Sequence, residues 1–426
     1  MSNQLPDDWE YKSLSELSSL ITKGATPSSY GFQYVSKPEQ GGVKFIRGNN
    51  ATISGKFNSK DIKYICNDAH QYLKRSQLKN GDVIISIVGS IGTSLFVDDN
   101  VIPANINQNV ALIRPNQIID NRFLLQVITS PIIQKLVALE ATTQAQPSLS
   151  LKQIGDFVSP VPPLPEQQKI AAILTSVDDV IEKTQAQINK LKDLKTGMMQ
   201  ELLTCGVGVD GKPHTEFKDS PVGRIPKGWD VVTLKNITNR ITDGTHQSVK
   251  TSDDGVHPFL YVSCIKKGQI QWEKASYLSH DEYEKASKGR KPIIGDILYS
   301  AVGSYGNAAV VTKKLEFSFQ RHIAYIQPNN TIIDSFFLAE YLNSQIGKKQ
   351  ADFYAIGNAQ LSVTLGDLGK FQILLPPLIE QRKIVSLINS IDLKICCAEE
   401  KNAKNKAIKK ALMQDLLTGK VRVNVD

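Results

Sequence analysis

The chain has 426 residues, 41% of them hydrophobic, with 50 Lys and Arg against 42 Asp and Glu for a net charge of +8. At roughly 150 residues per domain that length suggests about three domains, or two large ones, and the apolar and charge balance excludes wholesale disorder. No apolar run nears the roughly 18–20 residues of a membrane-spanning helix, no leader pattern opens the chain, and five cysteines without CxxC spacing argue against disulfides or a zinc knuckle and for a reducing cytoplasm.

From Trp9 to Pro160, short β-branched runs such as VIISIV and VALI, bounded by Gly, Asn, Asp and Pro, predict strands. One helical stretch, Phe123 to Leu139, lies among them. A double proline ends the last strand, and Glu166 opens a long helix, its carboxylate suited to the helix dipole. Gly206, after LLTC, can act as its stop. Along this helix the seam Ile170, Leu174, Val177, Ile181, Thr184, Ile188, Leu191, Lys195, Met198, Leu202 alternates steps of four and three, a coiled-coil pattern. At 1.5 Å per residue it spans roughly 57 Å, too long to lie on one small domain.

Beyond residue 225 the same order returns. ILYSAV and IAYI predict strands before Leu375, with a helical stretch at Phe336 to Lys349, and Glu380 opens a second long helix that Gly419 can stop. GDVIISIVGSIG (from Gly81) returns as GDILYSAVGSYG (from Gly295), PPLPEQQKIAAIL (from Pro162) as PPLIEQRKIVSLI (from Pro376), and MMQELLT (from Met198) as LMQDLLT (from Leu412), all at a shift of 214. Trp9, Leu14 and Gly24 return as Trp229, Leu234 and Gly244. The chain is therefore a tandem duplication, and two copies of one unit replace the three domains that length suggested.

The second seam is Ile384, Ile388, Ile391, Ile395, Ala398, then Asn402, Asn405 and Lys409, before Leu412 and Leu416. Its middle is polar, although Ala403, Ala407 and Ala411 offer a displaced small-residue seam. The expectation is an antiparallel helix pair, tight at its ends and wetter between. The fold class is α+β: two similar, mixed, strand-rich domains at 1–160 and 226–375, long helices at 161–204 and 376–426 (the latter with a C-terminal tail), and a linker at 205–225, in a pseudo-twofold internal repeat.

Catalytic signatures do not emerge. There is no GxxxxGK[ST] phosphate loop, VGSIG and VGSYG lack dinucleotide-binding spacing, and the double prolines follow Val161 and Leu375 rather than the Asp or Asn of an amino-methyltransferase motif. The six histidines (His70, His214, His246, His257, His280, His322) show no HxxxH or HExxH pattern. A nuclease-like Pro6-Asp7 with Glu10 and Lys12 is too compressed to surround one ion and is lost in the second copy. No catalytic residue and no metal site are predicted.

Polar side chains suited to base edges fall at matched places. Arg47, Asn49 and Asn50 follow a predicted strand, and Ser263, Lys266 and Lys267 follow its counterpart. Asn107 and Gln108 match Gln320, Arg321 and His322; Gln144 and Gln146 match Asn358 and Gln360. Divergence at matched places inside a preserved frame points to two readers of different DNA sequences.

These blocks, above all PPLPEQQKI and PPLIEQRKI with the GD…GSxG pairs, resemble the specificity (S) subunit of type I restriction–modification systems over nearly the whole chain. The resemblance implies two target-recognition domains, each reading one half of a bipartite asymmetric site in double-stranded DNA. It implies that the long helices set the spacer and dock two methylation (M) subunits, which restriction (R) subunits then join. S-adenosylmethionine, ATP and Mg are expected on those partners and no cofactor on this chain. An alternative is the specificity component for a fused restriction–methylation polypeptide.

Overall fold

The duplication reappears as two rounds of the same elements. The computed structural model describes residues 5–36, 41–141, 147–266, 268–358 and 360–425. They form two compact units, one of residues 1–187 with 398–426 and one of residues 188–397. The division cuts both long helices, so each unit holds the start of one and the end of the other.

The first unit carries β1 (Glu10–Ser13), β2 (Ser18–Lys23), β3 (Tyr34–Val35), β4 (Val43–Ile46), β5 (Lys63–Ile65), β6 (Val83–Ser86), β7 (Ser94–Phe96), β8 (Ala104–Ile106), β9 (Val110–Pro115) and β10 (Val158–Val161). Its helices are α1 (Asn67–Tyr72), α2 (Asn121–Thr129), α3 (Pro131–Ala141), α4 (Leu151–Asp156) and the first part of α5 (Leu164–Leu202). Two four-stranded sheets run β2-β9-β6-β7 and β3-β5-β4-β8, while β1 and β10 pair separately. In β6, Val83 and Ile85 join Phe123, Val127 and Ile170 on one face, whereas Ile84 packs with Leu95, Ile106 and Leu112 on the other. Burial on both faces explains why VIISIV lacks polar alternation.

The second unit carries the hairpin β11 (Phe217–Ser220) and β12 (Gly223–Pro226), then β13 (Asp230–Thr233), β14 (Thr238–Asp243), β15 (His257–Leu260), β16 (Ile265–Lys266), β17 (Gln269–Ile270), β18 (Ser276–Leu278), β19 (Ile297–Ser300), β20 (Ala308–Val310), β21 (Ser318–Phe319), β22 (Ile323–Pro328) and β23 (Gln372–Leu375). Its helices are α6 (His280–Ser287), α7 (Ser335–Asn343), α8 (Gln345–Tyr354), α9 (Leu365–Leu368) and the first part of α10 (Leu378–Leu416). The sheet β14-β22-β19-β20 and the pair β13-β23 repeat the arrangement of the first unit. The stretch expected as a plain linker contains the β11–β12 hairpin.

Each helical stretch expected to be continuous is instead two helices. Pro131 cannot donate the N–H that would carry α2 onward, and Ser130 before it is extended. At the matching place Ser344 ends α7 and caps α8 by accepting from the Gly347 N–H.

A buried Glu–Gln pair ties each domain to its long helix. Glu166 and Gln167 are each 1% exposed, and Glu380 and Gln381 are fully buried. Gln167 Nε2 donates to the Pro162 and Ile118 carbonyls at 2.9 and 3.0 Å, and its Oε1 accepts from the Asp120 N–H at 2.8 Å. Gln381 repeats this with Pro376, Ile332 and Asp334 at 2.9, 3.1 and 2.7 Å. Trp9 Nε1 donates to Glu166, and Trp229 Nε1 to Glu380, both at 3.1 Å. Arg422 of the C-terminal tail completes the first hub, donating to Glu166 at 2.8 Å and to Asp8 at 2.7 Å. In the second, Glu380 Oε1 accepts from the N–H groups of Val207 and Gly208 at 3.0 and 2.9 Å and lies 2.8 Å from His214 Nε2. Beyond the dipole role expected of them, these carboxylates act as junctions.

Within each unit the helix ends pack antiparallel. In the first, Asn402 Nδ2 donates to Gln185 Oε1 at 2.9 Å, and Lys409 pairs with Asp178 at 2.7 Å, so seven residues forward on α10 match seven back on α5. In the second, Leu202 and Leu203 cluster with Ile384, Val385 and Ile388. Every position of both expected seams is buried or half-buried, including Val177, Ile181, Leu191, Met198, Ile391, Ile395, Leu412 and Leu416. The displaced alanine seam does not form: Ala403, Ala407 and Ala411 are exposed, while Asn402 is only 4% exposed. A continuous helix cannot rotate its middle without turning Ile395 and Leu412 away, so Asn402 stays in the seam and donates a hydrogen bond to Gln185.

Burial pushes the Glu380 carboxyl up, but His214, the Val207 and Gly208 N–H groups and Trp229 outweigh it and hold it below the usual carboxylate range. A carboxylate depressed in the folded state stabilises above its unfolded value, and that contribution is lost as pH falls through the folded value. The urea midpoint of the second unit should therefore drop below about pH 4.3, and Glu380→Gln should flatten that part of the profile. Urea titrations from pH 3 to 7 (a range set about the carboxylate values) check both.

Candidate nucleic-acid interface

In the first unit β4 and β8 run parallel, so their C-terminal ends place Arg47 and Asn107 side by side. The Asn107 N–H donates to the Ile46 carbonyl at 3.0 Å. Thr93, from the turn that contains GSIG, donates its hydroxyl to the Gly48 carbonyl at 3.3 Å. That turn also bridges Ser148 through Val88. Gly24 closes the cluster, because a Cβ there would lie 2.0 Å from the Ile106 carbonyl oxygen and 2.3 Å from that of Asn107.

The second unit builds the same rim from different residues. β15 and β21 run parallel, and the Gln320 N–H donates to the Leu260 carbonyl at 2.9 Å. Gly244 abuts Phe319 and Gln320 as Gly24 abuts Ile106 and Asn107. The Arg321 N–H donates to the Thr245 carbonyl, and the Ala301 N–H to that of His322. The Gly303 N–H reaches the Leu361 carbonyl at 2.9 Å, and the Gln360 amide covers Gly303.

Of the residues expected to read DNA, Asn49, Gln108, Ser263, Arg321, Asn358 and Gln360 are exposed on these rims, and Gln320 and His322 are half-buried. Asn50 and Asn107 correct the expectation, for both are buried. Asn50 Nδ2 donates to the Asn58 and Lys60 carbonyls, and Asn107 Oδ1 accepts from the Asn109 N–H. They shape the loops and do not face solvent. Arg47 is paired with Asp61 at 2.8 Å; hydrogen-bonded by that guanidinium, the Asp61 carboxyl is held below its usual range, so binding a phosphate or base would mean exchanging partners. Lys266 is exposed on the β16–β17 hairpin, which packs toward β20. Gln144, Gln146 and Lys267 lie outside the described residues.

Two further cations stand beside the rims. Arg75 Nε donates to Thr22 Oγ1 at 2.6 Å on β2, and Arg290 Nε to the Asp243 carbonyl at 2.7 Å at the end of β14. Both therefore stand beside the strand leading to the rim glycine, with Lys74 and Lys288 exposed nearby. Clustering of Lys74-Arg75 and Lys288–Lys291 was the available signal. Among the described residues no group of three or more His, Cys, Asp or Glu is placed to hold a metal, and no single helix is long and apolar enough to cross a membrane.

A duplicated frame with two unlike polar rims is the architecture of a two-module recognition protein. The chain belongs to the type I restriction modification DNA specificity domain family, whose model matches residues 6–193 and 226–410. It is 30% identical, over 99% of its length and 95% of the relative's, to a chain described as the specificity subunit of type I restriction enzyme MjaX from Methanocaldococcus jannaschii. The MjaVIII specificity subunit of the same organism is 27% identical over 99% of this chain and 94% of the relative. Two solved structures share the fold. One, from work on complex assembly and conformational transition of the type I R-M system, has a TM-score of 0.60 at 20% identity and covers 98% of this chain and 100% of its own. The other, the S subunit from M. genitalium, has a TM-score of 0.57 at 14% identity and covers 98% of this chain and 97% of its own.

Gly24→Ala and Gly244→Ala should each destabilise their unit by about 1–3 kcal/mol, because the new methyl overlaps backbone that cannot rotate away. Denaturant unfolding of each variant checks this, and Gly228→Ala, which has open space around it, serves as the neutral control.

Proposed function

We propose that this chain is the DNA-selecting subunit of a type I restriction–modification complex, with each rim reading one half of a bipartite, asymmetric site. The observation that carries the proposal is the pair of matched rims: one frame, with Asn49 and Gln108 on one copy against Gln320, Arg321 and Gln360 on the other. On this reading the long helices set the spacer and dock two M subunits, and R subunits join through that core. Family membership and the likeness to a chain from a type I R-M assembly support these partners; they do not favour a fused restriction–methylation partner. The chain itself supplies no chemistry, and S-adenosylmethionine, ATP and Mg act on the partners, in the cytoplasm where the DNA is.

The modest charge fits such sharing. With a net charge of +8 over 426 residues, unspecific phosphate attraction by this chain alone is small and falls steeply with salt. Exposed Arg75 and half-buried Arg290 are suited to phosphate contacts that set register, leaving the rims to read bases.

Methylome sequencing of cells that carry this chain with its M subunits tests the proposal. It should show one bipartite methylated motif. Exchanging residues 1–160 for another recognition domain should change one half of that motif only, and Arg321→Ala should relax the other half. Each lost base contact is worth about 1–3 kcal/mol. A change in both halves on exchange would defeat the modular reading.

A further inference from the structure

Two ion pairs occupy equivalent places in the helix pair. Asp178 pairs with Lys409 at 2.7 Å in the first unit, and Asp392 with Lys195 at 2.6 Å in the second. The shift of 214 that relates the copies turns Asp178 into Asp392 and Lys195 into Lys409. Both lysines stand at seam positions otherwise filled mostly by Leu, Ile and Val. Asp178 and Lys409 are buried among them, their side chains only 9% and 13% exposed.

Each pair is also close to its own domain. Gln126 of α2 donates to Asp178 Oδ2 at 3.3 Å. The residue matching Gln126 is Glu340 of α7, whose carboxyl is pushed up by burial, with Lys195 and Asp392 near enough to act on it. Asn402, another polar seam residue, donates to Gln185 Oε1 in the first unit.

An apolar seam alone leaves register loosely specified, because Leu and Ile recur every heptad and a slip of seven residues faces like with like. The charges remove that degeneracy. A one-heptad slip would set Asp178 against Leu416 or Asn402, and Asp392 against Ile188 or Leu202. Lys409 would meet Gln185 or Ala171, and Lys195 would meet Val385 in one direction and Glu399 in the other. In both directions both aspartates lose their lysines; Asp178, only 9% exposed, would be left as a buried charge without its partner, which is strongly disfavoured, while Asp392, 42% exposed, would lose less.

We infer that the Asp178–Lys409 and Asp392–Lys195 pairs set the register of the helix pair and are thereby specificity-determining positions for the spacer. The register role rests on these contacts alone. Its consequence for the spacer rests on the function proposed above.

The test uses the full chain with Cys396 and Cys397 changed to Ser. Gln185→Cys with Asn402→Cys joins two positions already in contact and should cross-link almost completely on mild oxidation. Replacing Asp178, Lys195, Asp392 and Lys409 together with Leu keeps the seam filled, so the chain stays folded by circular dichroism. In that background the in-register cross-link should fall, because registers slipped in either direction no longer strand a charge. Gln185→Cys with Lys409→Cys and Gln185→Cys with Ile395→Cys, one heptad away in either direction, should together gain what is lost. An in-register cross-link that stays complete overturns the inference. As a second variant, Asp178→Lys should lose the cross-link and Asp178→Lys with Lys409→Asp should regain it; failure of the reversed pair to rescue counts against a register role. With M subunits, the leucine-substituted chain should methylate the same half-sites at more than one spacer length. A shifted cross-link with an unchanged spacer would leave the register role standing and overturn its link to the spacer.

Discussion

The fold depends on a carboxylate and an amide buried side by side at the start of each long helix. Neither group can be removed from water without partners, and the partners lie far off in sequence. Trp9 is 157 residues from Glu166, and Trp229 is 151 residues from Glu380. Gln167 and Gln381 each hold the carbonyl before their own helix and two backbone groups of the loop leading into the domain helices. The start of a recognition domain, its last strand and its long helix are thus brought together by groups that have no other way to be satisfied. The two hubs differ in what closes them: a C-terminal arginine and the Val423 N–H in the first, and a histidine with two backbone N–H groups in the second.

This division between frame and rim suits a recognition protein. The frame is held by hydrogen bonds that recur in both copies, and Asp82 and Asp296 illustrate it: each accepts from a backbone N–H three residues before it, at Lys79 and Ile293. The rims hang on the ends of parallel strands and on a glycine packed against a carbonyl, contacts that use backbone and leave side chains free to differ. Divergence at the rim therefore leaves the core intact. The helix pair follows the same logic, with an apolar seam for adhesion and an Asp–Lys pair that repeats at matched positions.

Some of this was legible in advance. The two long helices and their periodic seams were visible in advance because a periodicity of four and three depends only on helix geometry, whereas the displaced alanine positions lie exposed. The break at Pro131 was not, because an apolar run masked a residue that cannot donate. The junction role of Glu166 and Glu380 was half seen: a carboxylate in a first turn announces a helix start, but an indole more than 150 residues away leaves no local trace. The clustering of Arg75 and Arg290 with neighbouring lysines is visible in the chain, but their placement against β2 and β14 is not.

By itself, the sequence determined the duplication, the α+β class, the two long helices and the family, because these rest on repeated motifs and on periodicities that local geometry imposes. Only the tertiary structure decided which polar side chains are committed and which are free. Asn49 and Asn50 are adjacent and chemically identical, yet one is exposed while the other is consumed by the Asn58 and Lys60 carbonyls. A polar group's availability is set by what long-range packing brings within hydrogen-bonding distance, and that cannot be read from its neighbours in the chain.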